Sequence, residues 1–183
     1  MAKSDEELVS LAQAGDQVAF DELVARHQDR VFALSFRMMA NVEDAADIQQ
    51  ETFVRAWTKL RSFKRRAAFS TWLHRITVNL CLSRKRRASI DIEPLYEEHI
   101  SASESGGVAC MQRTETKAVV QAAIAELPAH YRVLIVLREI EGRSCDEIGL
   151  IVGRSPDSVR TGLYRARKLL RKKIGPYLEE VDA

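Results

Sequence analysis

Between Gln17 and Met39, the apolar residues Phe20, Leu23, Val24, Val31, Leu34 and Met38 recur at steps of three, four and seven. That is the period of an α-helix with one buried stripe. The same period returns in Ile48, Thr52, Ala56 and Leu60, in Phe69, Leu73, Ile76 and Leu80, and in Val159, Leu163, Ala166 and Leu170. Eight glycines and four prolines in 183 residues leave few breaks in such helices, so an all-α fold is expected. His27 falls on the first stripe and reads as a packed core histidine rather than a ligand.

Capping signals divide the helices. Residues 5–14 read as a short acidic helix broken at Gly15-Asp16. Asn41 with Asp44 resembles a capping box for a helix reaching about Leu60. Phe63 to Ala68 is a basic loop, and a helix starting near Ser70 runs to about Arg87. Further helices are expected over Thr114–Glu126 and Ala129–Glu141. Ser144 with Glu147 forms a second capping box, Val152-Gly153-Arg154 a tight turn, and Ser155-Pro156-Asp157 a well-formed helix start. Residues 88–112 are acidic, contain Ser and Gly and lack sustained periodicity, which marks a linker. About 25 extended residues reach roughly 80 Å, so the flanking modules could sit about two turns of DNA apart. The expected domains are 1–87, a helical bundle, and 113–183, joined by that linker.

Charge is distributed unevenly. The formal net charge is only +2, yet no Asp or Glu occurs between Glu51 and Asp91, or between Asp157 and Glu179. The first acid-free segment interleaves Lys and Arg with Phe53, Trp57, Phe63, Phe69 and Trp72. A long one-sign segment usually answers to a polyanion, with basic groups meeting phosphates and rings stacking on unpaired bases. The alternative is a basic solvent-facing helix over core aromatics. Within this segment Phe69, Trp57, Phe53 and Trp72 read more readily as core. Phe63, Lys64, Arg65 and Arg66 in the loop, and Thr71, Arg75, Asn79 and Ser83 along the helix, stand away from the apolar stripe and are candidates to face DNA. Just before it, Asp44, Asp47 and Glu51 fall at i, i+3 and i+7, with Gln50 beside them, on one helix face. Helix-dipole compensation accounts for Asp44 and Asp47 but fades before Glu51. A carboxylate stripe also suits a basic helical partner.

Short capped helix, glycine turn and capped basic helix together read as a helix-turn-helix. Its second helix would enter the major groove N-terminus first. That puts Ser155, Asp157, Ser158, Arg160, Thr161 and Tyr164 nearest bases and adjacent phosphates, with the later Arg165 and Lys168 toward the backbone and Arg154 a further DNA-binding candidate. No catalytic constellation is present. Cys81, Cys110, Cys145 and the four histidines match no metal spacing, so no metal, cofactor or small-molecule substrate is expected. No apolar run approaches a membrane span and the N-terminus lacks a signal-peptide core, so a cytoplasmic protein without membrane insertion is expected. A conventional helix-turn-helix repressor remains an alternative, but it leaves the acidic stripe and the aromatic-basic segment unexplained.

The wording of both modules resembles a known family. DELVARHQDRVFALSFRMM, VEDAADIQQETFVRAW and FSTWLHRITVNLCLSRKRR are similar to regions two-point-one to two-point-four of bacterial sigma factors. AIAELPAHYRVLIVLREIEGRSCDEIGLIVGRSPDSVRTGLYRARKLLRKKI is similar to sigma region four. The order, without regions one and three, resembles the extracytoplasmic-function group. This resemblance implies a two-domain all-α protein that binds core RNA polymerase. Asp44, Asp47, Gln50 and Glu51 would meet the β′ coiled coil, and region four would meet the β flap. The loop at Phe63–Arg66 and the helix carrying Thr71, Arg75, Asn79 and Ser83 would capture the minus-ten promoter element by unstacking a base. The helix from Ser155 would read the minus-thirty-five element, and the acidic linker would thread toward the polymerase channels. An anti-sigma factor is implied as a regulator, which could hold the protein at the inner membrane face. Three features depart from the family, the first being Ser155-Pro156-Asp157-Ser158, which is not the commonest recognition-helix start and so does not give the upstream DNA sequence. Gly149 stands where Ala is usual, and because both are small the packing is expected to survive. Gly162 stands where a basic or polar residue is common, and is expected to cost helix propensity and remove a phosphate contact.

Overall fold

The computed structural model describes residues 3–90 and 111–181, in which every regular element is helical. The helices are α1 (Asp5–Gln13), α2 (Gln17–Met39), α3 (Val42–Lys59), α4 (Phe69–Ile90), α5 (Met111–Ala125), α6 (Ala129–Ile135), α7 (Cys145–Val152) and α8 (Pro156–Val181). A 3₁₀ turn, Leu60–Ser62, follows α3, and a π turn, Val136–Ile140, continues α6 to the end expected for a single helix. Most of the expected linker, residues 91–110, lies outside the described residues. Its expected margins are helical: α4 runs three residues past Arg87, and α5 begins at Met111.

Local chemistry sets the boundaries. Ser4 and Glu7 make a full capping box at α1. Asn41 Oδ1 accepts the Asp44 N–H at 2.9 Å, one half of the box expected at α3. At α7 both halves form: Ser144 Oγ accepts from Glu147 N at 3.2 Å, and Ser144 N donates to Glu147 Oε2 at 2.9 Å. Gly153 closes α7 in the left-handed region at φ 69°, and Ser155 Oγ accepts the Ser158 N–H at 3.3 Å to open α8. Each cap satisfies backbone groups that the helix itself leaves without partners.

Two hydrophobic cores organise the helices. In the first, Leu8 and Val9 of α1 meet Phe20, Leu23 and Val31 of α2, Leu60, and Phe69 and Leu73 of α4. The second joins Leu34 and Met38 of α2, Ile48 of α3, and Val78 and Cys81 of α4 to Leu127, Val133, Leu137, Ile148, Val159 and Leu163. The stripe of α2 is therefore shared. At 23 residues, roughly 35 Å, this helix is long enough to serve both cores. The two regions also meet, because α2 and α4 pack directly against α5, α6 and α7. His27 is buried on the stripe as expected, with Nε2 2.7 Å from Asp5 Oδ2. Thr52 and Thr77 form a buried hydroxyl pair 3.4 Å apart between α3 and α4, and Thr77 Oγ1 also donates to Leu73 O.

Candidate nucleic-acid interface

The acidic face stands on α3. Asp47, Gln50 and Glu51 are exposed, and Asp44 is half-buried. Arg84, arriving from α4, lies 3.4 Å from Asp44 Oδ1 and 3.0 Å from Asp47 Oδ2, while Glu51 pairs with Arg55 one turn on. All of these pairs are solvent-exposed or half-exposed, where an ion pair contributes about 0–1 kcal/mol and can be exchanged for another cation. Gln50 carries no such partner among the described contacts, so the face as a whole can accept an incoming basic helix.

The basic loop is held in place by α1. Gln13 Nε2 donates to the carbonyls of Leu60 and Phe63, both at 2.9 Å, and Gln13 Oε1 accepts from Arg65 Nη2 at 2.7 Å. Arg65 adopts a left-handed backbone, φ 53°, which the Gln13 contact helps to hold. Sequence reading missed Gln13 because its partners lie about fifty residues away and no local pattern announces them.

Two of the expected DNA-facing residues are buried. Phe63 is only 9% exposed, its ring 4.8 Å from Trp72 and 6.1 Å from Phe69 by centroids. Thr71, in the first turn of α4, is 4% exposed. The reading that both stand away from the core is thus corrected: loop closure folds Phe63 back onto the aromatic pair, and α4 begins beneath it. Both residues instead line a cavity of about 290 Å³ together with Lys64, Arg66, Trp72, Arg75 and Leu150. Lys64, Arg65, Arg66, Arg75, Asn79 and Ser83 are exposed as expected. Phe69 is core and Trp72 packs against it. Trp57 departs from its expected core position: it is 42% exposed, with its ring tilted over Phe20 at 4.8 Å.

On the helix-turn-helix, Val159, Leu163 and Ala166 of α8 face inward. Arg154, Ser155, Ser158, Arg160, Thr161, Tyr164, Arg165 and Lys168 are all exposed, Tyr164 at 70%. Arg160 is paired with Asp157, three residues earlier. The packing expected to survive at Gly149 does, while the phosphate contact expected to be lost at Gly162 is corrected. A Cβ on Gly149 would sit 2.7 Å from the Arg154 carbonyl oxygen, so the turn has no room for Ala. Gly162 is buried rather than DNA-facing: its Cβ would meet Leu134 Cδ1 at 2.6 Å, where α8 crosses α6. No phosphate contact is lost there, because a side chain would point inward.

The segments forming these faces match two family models, Sigma-70 region 2 over residues 23–90 and Sigma-70, region 4 over residues 117–170. The chain belongs to the sigma-70 family, in its extracytoplasmic-function (ECF) group. It is 32% identical to the RNA polymerase sigma-H factor of Pseudomonas aeruginosa, over 97% of each chain. It is 35% identical to the ECF RNA polymerase sigma factor SigW of Bacillus subtilis, over 91% of this chain and 94% of that protein. Among solved structures it resembles CnrH in complex with the cytosolic domain of CnrY, with a TM-score of 0.69, 30% identity and coverage of 99% and 100% of the two chains. The sigma factor RpoE of Bartonella quintana, solved with the anti-sigma factor NepR, shares the fold at 22% identity and a TM-score of 0.66, over 85% and 96%. Members of this sigma family are DNA-binding transcription regulators rather than enzymes. Among the described residues no helix of this sigma-family chain is long and apolar enough to cross a membrane.

Proposed function

We propose that this chain binds core RNA polymerase and directs it to a specific class of promoters, each face taking one task. Asp44, Asp47, Gln50 and Glu51 dock the β′ coiled coil, with Arg84 giving up its carboxylates to the partner's basic groups. Lys64, Arg65, Arg66, Arg75, Asn79 and Ser83 hold the non-template strand of the minus-ten element. The cavity over Phe63, Thr71 and Trp72 offers an unstacked base an aromatic wall. The exposed start of α8 enters the major groove of the minus-thirty-five element, with Ser155, Ser158, Arg160, Thr161 and Tyr164 toward bases and Arg154, Arg165 and Lys168 toward phosphates. The domain carrying α5–α8 also meets the β flap. The protein works in the cytoplasm, and an anti-sigma factor restrains it, either free or at the inner membrane face.

The observation that carries this reading is one chain presenting an exposed carboxylate face on α3 beside two separate basic faces on α4 and α8. A stand-alone repressor needs only the last. Run-off transcription with purified core polymerase on genomic fragments tests it directly. Specific transcripts are expected from the wild-type protein, and the double variant Asp47→Lys, Glu51→Lys is expected to lose core binding. A protein that supports no initiation, or a double variant that still binds core enzyme, would sink the proposal.

A further inference from the structure

The minus-ten loop is exposed and basic, yet very little holds it in one shape. Between the 3₁₀ turn and α4, Lys64, Arg65 and Arg66 stand in solvent. Among the described residues, residues 64–67 make a single hydrogen bond, from Arg65 Nη2 to Gln13 Oε1 at 2.7 Å. The turn before them closes on itself through Phe63 N donating to Leu60 O at 3.0 Å. Gln13 reaches both ends of that same turn, its Nε2 donating to Leu60 O and to Phe63 O. Phe63, Lys64 and Arg66 line the cavity offered to an unstacked base. One side chain from outside the loop therefore sets the edge of that cavity.

The task suits an amide. Two N–H donors meet two carbonyls, and the oxygen meets a guanidinium, so all of the polar hydrogens are used. The amide orientation is fixed by the same contacts: flipped, its oxygen would face two carbonyl oxygens. A carboxylate at this place could keep Arg65 but not the carbonyls. The support beneath Gln13 is rigid as well. Gln13 is the last residue of α1, whose Leu8 and Val9 are buried in the first core. Asp5 pins the far end of α1, 3.1 Å from Arg26 Nη1 and 2.7 Å from His27 Nε2. Just after Gln13, the Asp16 N–H donates to Leu11 O at 3.1 Å and turns the chain back at Gly15, whose φ is 105°.

We propose that Gln13 is a positioning residue for base capture, and that α1 is thereby a determinant of promoter choice beside α4 and α8. The proposal rests on the promoter reading above. Gln13 acts through other residues: it holds the Phe63 backbone directly and the rest of the loop through Arg65, in the one shape that admits a base to the minus-ten cavity. That shape decides which base is accepted. A loop released from Gln13 must be ordered by the incoming base itself, and preorganisation that favoured one base over the others is lost.

Two measurements on the full chain test it. The first is run-off transcription with core polymerase on a promoter found by the genomic screen, with each position of the minus-ten and minus-thirty-five elements varied in turn. The wild-type protein should discriminate roughly 5- to 150-fold at a specified base. Gln13→Glu keeps the Arg65 contact but opposes the two carbonyls, and Gln13→Met has similar length without an amide. Each should lower minus-ten discrimination by about threefold or more and leave minus-thirty-five discrimination unchanged. A variant that merely folds less well would lower activity on every promoter alike and move neither ratio. The second measurement is hydrogen exchange of the Phe63 amide in the free protein, the N–H that closes the turn, followed by NMR. Both variants should speed it about tenfold. Variants with wild-type minus-ten discrimination, variants that lose both discriminations together, or a Phe63 amide that exchanges no faster would overturn the role of Gln13. If the wild-type protein initiates on no fragment, the promoter reading falls, while the exchange result still decides whether Gln13 holds the loop.

Discussion

Replacing Gly149 with Ala should destabilise the protein, although Ala is the better helix former and the usual residue of the family at this place. In the middle of α7 the exchange gains up to about 1 kcal/mol of helix propensity. Against it stands the Arg154 carbonyl oxygen, 2.7 Å from the new Cβ. Restoring ordinary contact at about 3.4 Å requires the turn to open by more than half an ångström. That oxygen belongs to a backbone held by Arg154 N donating to Gly149 O at 3.0 Å and by Gly153 in the left-handed region, so it cannot swing aside as a side chain would. Overpacking against a fixed group costs about 2–3 kcal/mol, leaving a net loss of about 1–2 kcal/mol. In a chain of this size that lowers Tm by roughly 2–8 °C. Because the opened turn carries the start of α8, the variant should also weaken minus-thirty-five recognition. Gly162→Ala is the internal comparison: its obstacle is the tip of Leu134, which can change rotamer, so its loss should be the smaller. Thermal unfolding followed by circular dichroism measures both. A Gly149→Ala protein as stable as wild type, or more so, would refute the argument from the turn.

Three further outcomes are expected. Gln13→Ala removes donors from two carbonyls and the partner of Arg65, so it should cost about 1–2 kcal/mol and depress promoter opening more than core binding, as a permanganate footprint would read. Burial, and then Arg143 with lesser repulsion from His27 and Arg30 and a small opposing pull from Glu147, holds the His74 pKa down to about 4. The folded state therefore refuses a proton that the unfolded chain accepts below about 6.5, and stability present above that pH is lost as pH falls toward 4, by about 1.4 kcal/mol per unit. Urea midpoints across that window should show the slope, and His74→Gln should flatten it. Burial also pushes the Cys81 thiol up to about 12, so alkylation at pH 8 should spare Cys81 until the protein unfolds, as mass mapping of the modified peptides would show.

What could be read from residue order was whatever depends on near neighbours. Helix periodicity arises within a few turns, so the stripes of α3 and α8 are buried where the spacing of Ile48, Thr52, Ala56 and Leu60, and of Val159, Leu163 and Ala166, puts them. Caps at Ser144 and Ser155 act over three residues and are equally local. The acid-free segments and the carboxylate face on α3 are one-dimensional facts that survive folding, while the all-α class came from the helical period and the family from the resemblance of both modules to sigma regions. Tertiary structure alone decided the rest, because each of those features depends on a partner far along the chain. Phe63 turns inward because Trp72 and Phe69 wait beneath the loop, and Gln13 holds that loop across some fifty residues. Gly162 is glycine because α6 crosses α8 against it, and Gly149 because the turn folds back on it. The hydrogen bond that Arg132 donates to the Met38 carbonyl spans 94 residues, a separation at which no periodicity or cap carries information and only packing can choose the contact.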